Sequence, residues 1–302
     1  MKHNYSENIW NILACPYCGA SLENLNDLVK CSSCNIDFRY SDSGALDLRL
    51  KSPKKYHLEF DLFSSCSESE FKYKLLEKNP APELDFSSFT LPRHFTENFI
   101  SYFPKAKSNK SLVLDLGCGD TVHREMCEYA GFEYVGMDYD HPDAALFGDA
   151  HSLPFKDNSF EFILSLGVIE HVRFPFVMMK EAYRVLKPNG KFIGTVAFME
   201  PFHGNSFYHH THLGIFNSLQ YGGFKIEHIA PRDKKWSVLT ALARMALFPK
   251  MPRFFAMFLV SPLQMIHQLW WKMGIIMGRN ISEDFRVIQT TGAFAFIAKK
   301  GK

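Results

Sequence analysis

The sequence predicts an α/β protein built on a doubly wound, mostly parallel sheet, preceded by a small four-cysteine module. Three observations carry this expectation. Apolar runs alternate with helical stretches from residue 112 onward, a glycine turn closes the first of those runs, and two C-x2-C pairs stand near the N-terminus. At 302 residues the chain is long enough for one domain of ordinary size plus a smaller unit. A formal net charge of +2 argues against binding nucleic acid mainly through a broad positive field. The N-terminal M-K-H-N-Y-S-E-N-I-W has no apolar core of signal-peptide length. Nowhere is there the uncharged apolar run of about 20 residues that a spanning helix needs, so a cytoplasmic protein is expected. Seven cysteines, four of them paired and the others at Cys66, Cys118 and Cys127, fit a reducing compartment with a metal site better than a disulfide framework.

Residues 1–50 form the first expected unit. Cys15, Cys18, Cys31 and Cys34 make two C-x2-C knuckles, each able to bring two thiolates to one ion, and together they close a tetrahedron around a structural zinc. Short strands around Ser21–Leu25 and Leu28–Lys30 would make a hairpin with a knuckle near each end. Four unligated buried cysteines, or a redox pair, are the alternatives, but two redox pairs without a βαβ pattern around them make little sense. Four protein sulfurs leave no open coordination position, so the module positions something and does no chemistry.

Residues 51–108 read as a connector with short helices over Glu68–Lys78 and Pro92–Tyr102. Phe86, Phe89, Phe95, Phe99, Tyr102 and Phe103 are too many aromatics for a free linker, so the segment is expected to pack on the third unit, residues 109–302. There it would either cover the site or only fill the core.

In that third unit, L-V-L-D-L (Leu112–Leu116) runs into G-C-G-D and then a helix over Thr121–Ala130. Glycines in such a turn let the backbone approach a ligand, and the helix offers it N-terminal amides. Asp138 closes the next strand about 20 residues further on, where a βαβ unit places an acid on ribose hydroxyls; a solvated turn aspartate is the plain alternative. G-D-A-H-S-L-P-F, the strand E-F-I-L-S-L-G, V-I-E-H-V, a helix over Phe176–Leu186 and K-P-N-G before K-F-I-G-T-V-A-F complete an alternating pattern.

Taken in this order, L-D-L-G-C-G, Asp138, G-D-A-x-x-L-P-F, N-S-F-E-F-I, E-H-V and R-V-L-K-P-N-G-K-F resemble the motif series of class I S-adenosylmethionine methyltransferases of the type 11 group, over Leu112–Phe198. The resemblance implies a seven-stranded Rossmann-like sheet with S-adenosylmethionine as cofactor. It implies that Asp115, Gly117 and Gly119 line the methionine end, that Asp138 holds the ribose, and that Asp149, with the backbone of Ala150, meets the adenine. The family often has a further small residue soon after Gly119, where this chain has Asp120, Thr121 and Val122. The cysteine module resembles the small zinc-binding protein that activates certain tRNA and translation-factor methyltransferases. NAD binding is the competing use of a glycine loop and distal acid, but Val122 leaves G-x-G-x-x-G incomplete.

For a hydroxyl acceptor His171, after Glu170 at the end of a strand, is the first candidate base, against a histidine that only bonds the loop. The stretch M-E-P-F-H-G-N-S-F-Y-H-H-T-H-L-G is read as an acceptor-facing loop in which His209 or His210, with Tyr208, contacts the acceptor. Metal binding by its histidines, with Glu200, is the weaker reading. Residues 236–279 form an apolar helical insertion with Leu263, Ile266, Trp270, Met273 and Met277 on one face. Pro249, Pro252 and Pro262 are expected to divide it. Lid, homodimer surface, and peripheral contact with a membrane or greasy substrate are its three readings.

Methyl transfer to a small, lipid-linked or carrier-linked acceptor, at an oxygen of a sugar or secondary metabolite, is the first function expected. A tRNA or rRNA base methyltransferase gripping nucleic acid through its zinc module is the second, since some rRNA guanine methyltransferases also begin with a four-cysteine zinc site. A non-catalytic cofactor-binding module in a complex is the third.

Overall fold

The computed structural model of the chain describes residues 3, 5–25, 28–60, 74–92, 94–199, 204–232, 252–279 and 282–302. Helix α1 (Glu7–Ile12) is started by Ser6, whose hydroxyl accepts the Ile9 amide, with Glu7 complementing the helix dipole. Strands β1 (Leu22–Asn24) and β2 (Leu28–Cys31) form the expected antiparallel hairpin, with Leu22 opposite Cys31. Two strands that the sequence did not announce follow, β3 (Asp37–Tyr40) on β2 and β4 (Leu46–Asp47) on β3.

The connector is less helical than its pattern implied. Residues 68–73 of the first expected helix lie outside the described residues, and 74–78 are not helical. The second shortens to α2 (Glu97–Ile100), capped by Thr96 through the Phe99 amide.

The remaining elements are β5 (Leu112–Leu116), α3 (Arg124–Tyr129), β6 (Glu133–Asp138), β7 (Leu146–Phe147), β8 (Phe160–Leu166), α4 (Pro175–Val185), β9 (Leu186–Ala197), α5 (His212–Gly222), β10 (Lys225–Pro231), α6 (Arg253–Ile276), α7 (Glu283–Thr290) and β11 (Ala293–Lys299). Helix α3 begins three residues later than the periodicity placed it, because Thr121 sits at φ +56°, a left-handed conformation no helix accepts. K-P-N-G bulges out of β9: Phe160 pairs with Leu186, yet Phe162 already pairs with Lys191.

Among the described residues the sheet has eleven strands rather than the expected seven, in the order β1-β2-β3-β4-β7-β6-β5-β8-β9-β11-β10. Seven come from residue 112 onward and four from the N-terminal module. The module joins because β4 pairs in parallel with β7, Leu46 beside Leu146 and Asp47 beside Phe147, which covers an edge that would otherwise present unpaired amides. Tyr5 locks the junction, donating to Ala145 O (2.5 Å) and accepting from the Leu46 amide (3.1 Å).

Side-chain alternation then builds two layers. Leu112, Leu114 and Leu116 of β5, with Phe294 and Phe296 of β11, pack on one face with α4, α5 and the module's Leu13, Val29, Phe38 and Leu48. Val113, Phe162 and Leu164 face the other way, onto the connector's Phe86, Phe95, Phe99 and Phe103 and helix α3. The aromatics of the connector are therefore core. The sheet order reverses between β5 and β8, and a crevice opens beyond the carboxyl ends of β5, β6 and β8, as such folds place it.

The insertion departs most from expectation. Residues 233–251, including Trp236 and Pro249, lie outside the described residues, but α6 runs unbroken for 24 residues through Pro262. Proline supplies no amide for the Phe258 carbonyl; the hydroxyl of Ser261 donates to it instead (2.7 Å), which repairs the bond that the ring removes.

Candidate active site

The crevice is a cavity of about 1250 Å³. Its floor is the glycine turn after β5. At Gly117, φ is +77° and an added Cβ would lie 2.3 Å from Val168 Cγ2, so the backbone of the turn presses directly on the turn that follows β8. Gly119, at φ +50°, has nothing within 4 Å of where a Cβ would project, and it lines the cavity. Thr121 takes a third left-handed conformation, at a cost of roughly 1–2 kcal/mol. Asp138 ends β6 beside this turn. Its Oδ2 accepts the Gly119 amide (3.0 Å) and its Oδ1 accepts those of Asp140 and His141 (3.2 Å each), so three backbone donors fix the carboxylate at the cavity wall.

Asp149 and Ala150 stand further along the same wall. Burial alone would raise the Asp149 carboxyl, but the His151 ring (2.6 Å) and amide (2.9 Å) outweigh it and hold the group below its ordinary range. The L-P-F turn behind it is gripped by α4: Glu181 accepts the Leu153 amide, while Arg184 donates to the carbonyls of Leu153 (2.9 Å) and Phe155 (2.6 Å) and to Glu181 and Asp157.

Asp115 does not line the cavity. It is buried, accepts the Tyr134 hydroxyl (2.7 Å), and lies 3.4 Å from His123 Nδ1, supporting the glycine turn from beneath. Burial, with this charge beside it, pushes the Tyr134 phenol far up.

Beyond the glycine turn the cavity continues past Glu170, His171, Asn205, Phe207 and Thr195. The 204–210 loop is pinned there by the Glu170 carbonyl, which accepts the amides of Phe207 (2.7 Å) and Tyr208 (3.2 Å). His171 Nδ1 meets the Asn205 carbonyl at 3.2 Å, so it carries the proton and Nε2 is the basic nitrogen. Of the other two histidine candidates, His209 is exposed and His210 is buried with its amide on Ala197 O; neither lines the cavity. His203 and Glu200 lie outside the described residues, and among the described residues no metal-holding group includes a histidine.

Several lining residues escaped the sequence reading. His94 reaches the cavity from the connector at φ +84°; its Cε1 lies where Gly167 has no side chain, and its Nδ1 is 3.5 Å from Arg232 at the end of β10. Lys54, Tyr56 and Leu58 form a second connector wall. A polar residue just past a strand's carboxyl end is a usable signal for Arg232; no local pattern marks His94.

That second wall hangs on the cysteine module. The Tyr17 hydroxyl accepts the amides of Lys51 (2.6 Å) and Ser52 (2.9 Å), and Lys54 Nζ donates to Pro16 O (2.6 Å) and Ser152 Oγ (2.8 Å). Pro16 and Tyr17 lie between the first two cysteines. The four sulfurs cluster within 4.8 Å, with separations of 3.5 Å (Cys18–Cys31), 3.6 Å (Cys15–Cys34) and 3.7 Å (Cys18–Cys34). A tetrahedral four-thiolate zinc needs sulfurs about 3.8 Å apart, and the amides of Ser33 and Cys34 already point at Cys31 Sγ. The cluster fits such an ion.

Residues 114–194 match the family described as methyltransferase domain. The ubiquinone/menaquinone biosynthesis C-methyltransferase UbiE of Rickettsia bellii is 29% identical over 168 residues, covering 48% of this chain and 62% of that protein. The probable tRNA methyltransferase 9B of Homo sapiens is 29% identical over 144 residues, covering 44% and 30%. The chain thus spans less than two thirds of these curated relatives. Among solved structures, Haemonchus contortus phosphoethanolamine N-methyltransferase 2 in complex with S-adenosyl-L-methionine is 18% identical with a TM-score of 0.43, over 67% of this chain and 51% of that one. Residues 114–194 are thus similar to a methyltransferase domain, and they form the parallel centre of the sheet.

Proposed function

We propose that the chain transfers a methyl group from S-adenosylmethionine to a small or carrier-linked acceptor at oxygen, as a cytoplasmic enzyme whose cysteine cluster holds a structural zinc. One observation carries this reading: a single cavity joins the glycine turn, Asp138 and Asp149 at one end to His171, Glu170, His94 and Arg232 at the other. The bare approach at Gly119 and the fixed Asp138 carboxylate suit a ribose and a sulfonium, and Asp149 with Ala150 suits the adenine. Bound there, S-adenosylmethionine supplies an electrophilic methyl group.

The chain's own task is then to hold an acceptor in line and manage one proton. His171 receives that proton at Nε2 while the Asn205 carbonyl fixes the ring. His94 and Arg232 orient the polar end of the acceptor, and Tyr56 and Leu58 keep water from it. The zinc module positions this last wall through Pro16 and Tyr17, which gives a chemically inert metal a functional role.

Transfer of label from methyl-labelled S-adenosylmethionine tests the reading. Sugar nucleotides, lipid-linked glycans and unmodified tRNA are offered separately to the wild type and to His171→Ala. Label entering a hydroxyl of a sugar or lipid-linked acceptor, reduced about 100-fold or more in the variant, supports it. Label entering tRNA would replace it with a base methyltransferase.

A further inference from the structure

Helix α6 is polarised the wrong way for a helix facing water. Ala256 and Val260 are its buried positions and Gln264, His267 and Trp271 are among the half-buried ones, while Phe258, Ile266, Leu269, Trp270, Met273 and, at its C-cap, Met277 are exposed. Phe258 and Trp270 are each 73% exposed. Exposed apolar side chains recur along the whole of a helix about 36 Å long, beyond the scattered apolar residues a soluble surface carries. Charge gives a second observation. Between Asp233 and Glu283 the sequence has no acidic residue at all, only Lys and Arg, and Lys272 and Arg279 are exposed beside the apolar face.

We infer that α6 docks on an anionic phospholipid bilayer, lying along the interface with its aromatic and aliphatic face among the acyl chains and Lys272 and Arg279 at the headgroups. No helix among the described residues is long and apolar enough to cross a membrane, so the contact is peripheral. A second copy of the chain would cover the same apolar face only by bringing two acid-free, basic segments together, whereas an anionic surface pairs them. This inference does not depend on the methyl-transfer reading.

Vesicle flotation with the full chain tests it, using phosphatidylcholine alone and an equimolar mixture of phosphatidylcholine and phosphatidylglycerol. The wild type floats with the mixed vesicles and stays behind with pure phosphatidylcholine. Lys272→Gln with Arg279→Gln weakens partition about 30-fold, Phe258→Ser with Trp270→Ser weakens it at least as much, and both double variants keep the wild-type melting temperature because every altered side chain is exposed. A wild type that ignores both kinds of vesicle overturns the proposal. So does equal binding to both, or a dimer in sedimentation that the Phe258→Ser, Trp270→Ser variant dissolves.

Discussion

Gly117→Ala and Gly119→Ala should fail in different ways although both glycines belong to one turn. At position 117 the new methyl would sit 2.3 Å from Val168 Cγ2 and 2.8 Å from Cγ1, well inside contact distance, in a backbone at φ +77°. Val168 is β-branched and stiff, so it cannot swing aside cheaply. The left-handed alanine costs roughly 1–2 kcal/mol and the overpacking about 1–3 kcal/mol. Together these predict a loss of about 2–5 kcal/mol, or roughly 3–8 °C in melting temperature for a chain of this length. At position 119 nothing lies within 4 Å, so only the conformational cost of about 1–2 kcal/mol applies, yet the methyl projects into the space that the cofactor needs. Calorimetric melting with and without S-adenosylhomocysteine separates the two. Gly117→Ala melts low, whereas Gly119→Ala melts a few degrees below wild type but gains little from the ligand. A Gly117→Ala melt matching the wild type, or a full ligand shift in Gly119→Ala, would refute this division of labour.

Arg184→Met removes the bonds from α4 to the Leu153 and Phe155 carbonyls and takes the guanidinium partner from the buried Glu181 carboxylate, which keeps the Leu153 amide; a loss of about 2–4 kcal/mol is expected in urea unfolding. Tyr17→Phe frees the Lys51 and Ser52 amides, so zinc content measured by atomic emission should hold while affinity for S-adenosylhomocysteine falls several-fold; Cys18→Ser should lose both. Burial depresses the His210 imidazole, the Ile169 backbone bond only partly opposing it. An unfolded histidine gains its proton near pH 6.5 while the buried one resists, so this contribution is complete above that pH and is lost as the pH falls. Melting temperatures between about pH 7 and 5 should decline more shallowly in His210→Gln than in the wild type.

How far the sequence revealed this architecture depended on the range of the interactions involved. Strands β5, β6 and β8 and the glycine turn are local patterns, and they stand where periodicity put them. Joining the module to the sheet rests on the β4–β7 pairing, two residues on each side and about a hundred apart in sequence, which leaves no local trace. The continuity of α6 through Pro262 turned on one serine hydroxyl, and the late start of α3 on one strained threonine. At the site, Gly117, Gly119, Asp138, Asp149, Ala150 and His171, each at the end of a strand or in a short local motif, line one cavity. Asp115 lies under the turn and outside the cavity lining, because strand alternation points it towards Tyr134 and His123. His209 and His210 follow the anchored loop out of the site, and His94 enters from a connector whose backbone strain no pattern announces.

Titration calorimetry of S-adenosylmethionine and S-adenosylhomocysteine against the zinc-loaded wild type and Asp138→Ala is the most direct test of the central claim. The account predicts micromolar binding, about 8 kcal/mol, reduced about 100-fold or more once the carboxylate that holds the Gly119 amide, and that we propose for the ribose, is gone. A folded, zinc-loaded wild type that binds neither compound, or an Asp138→Ala variant that binds them as well as the wild type, would contradict it.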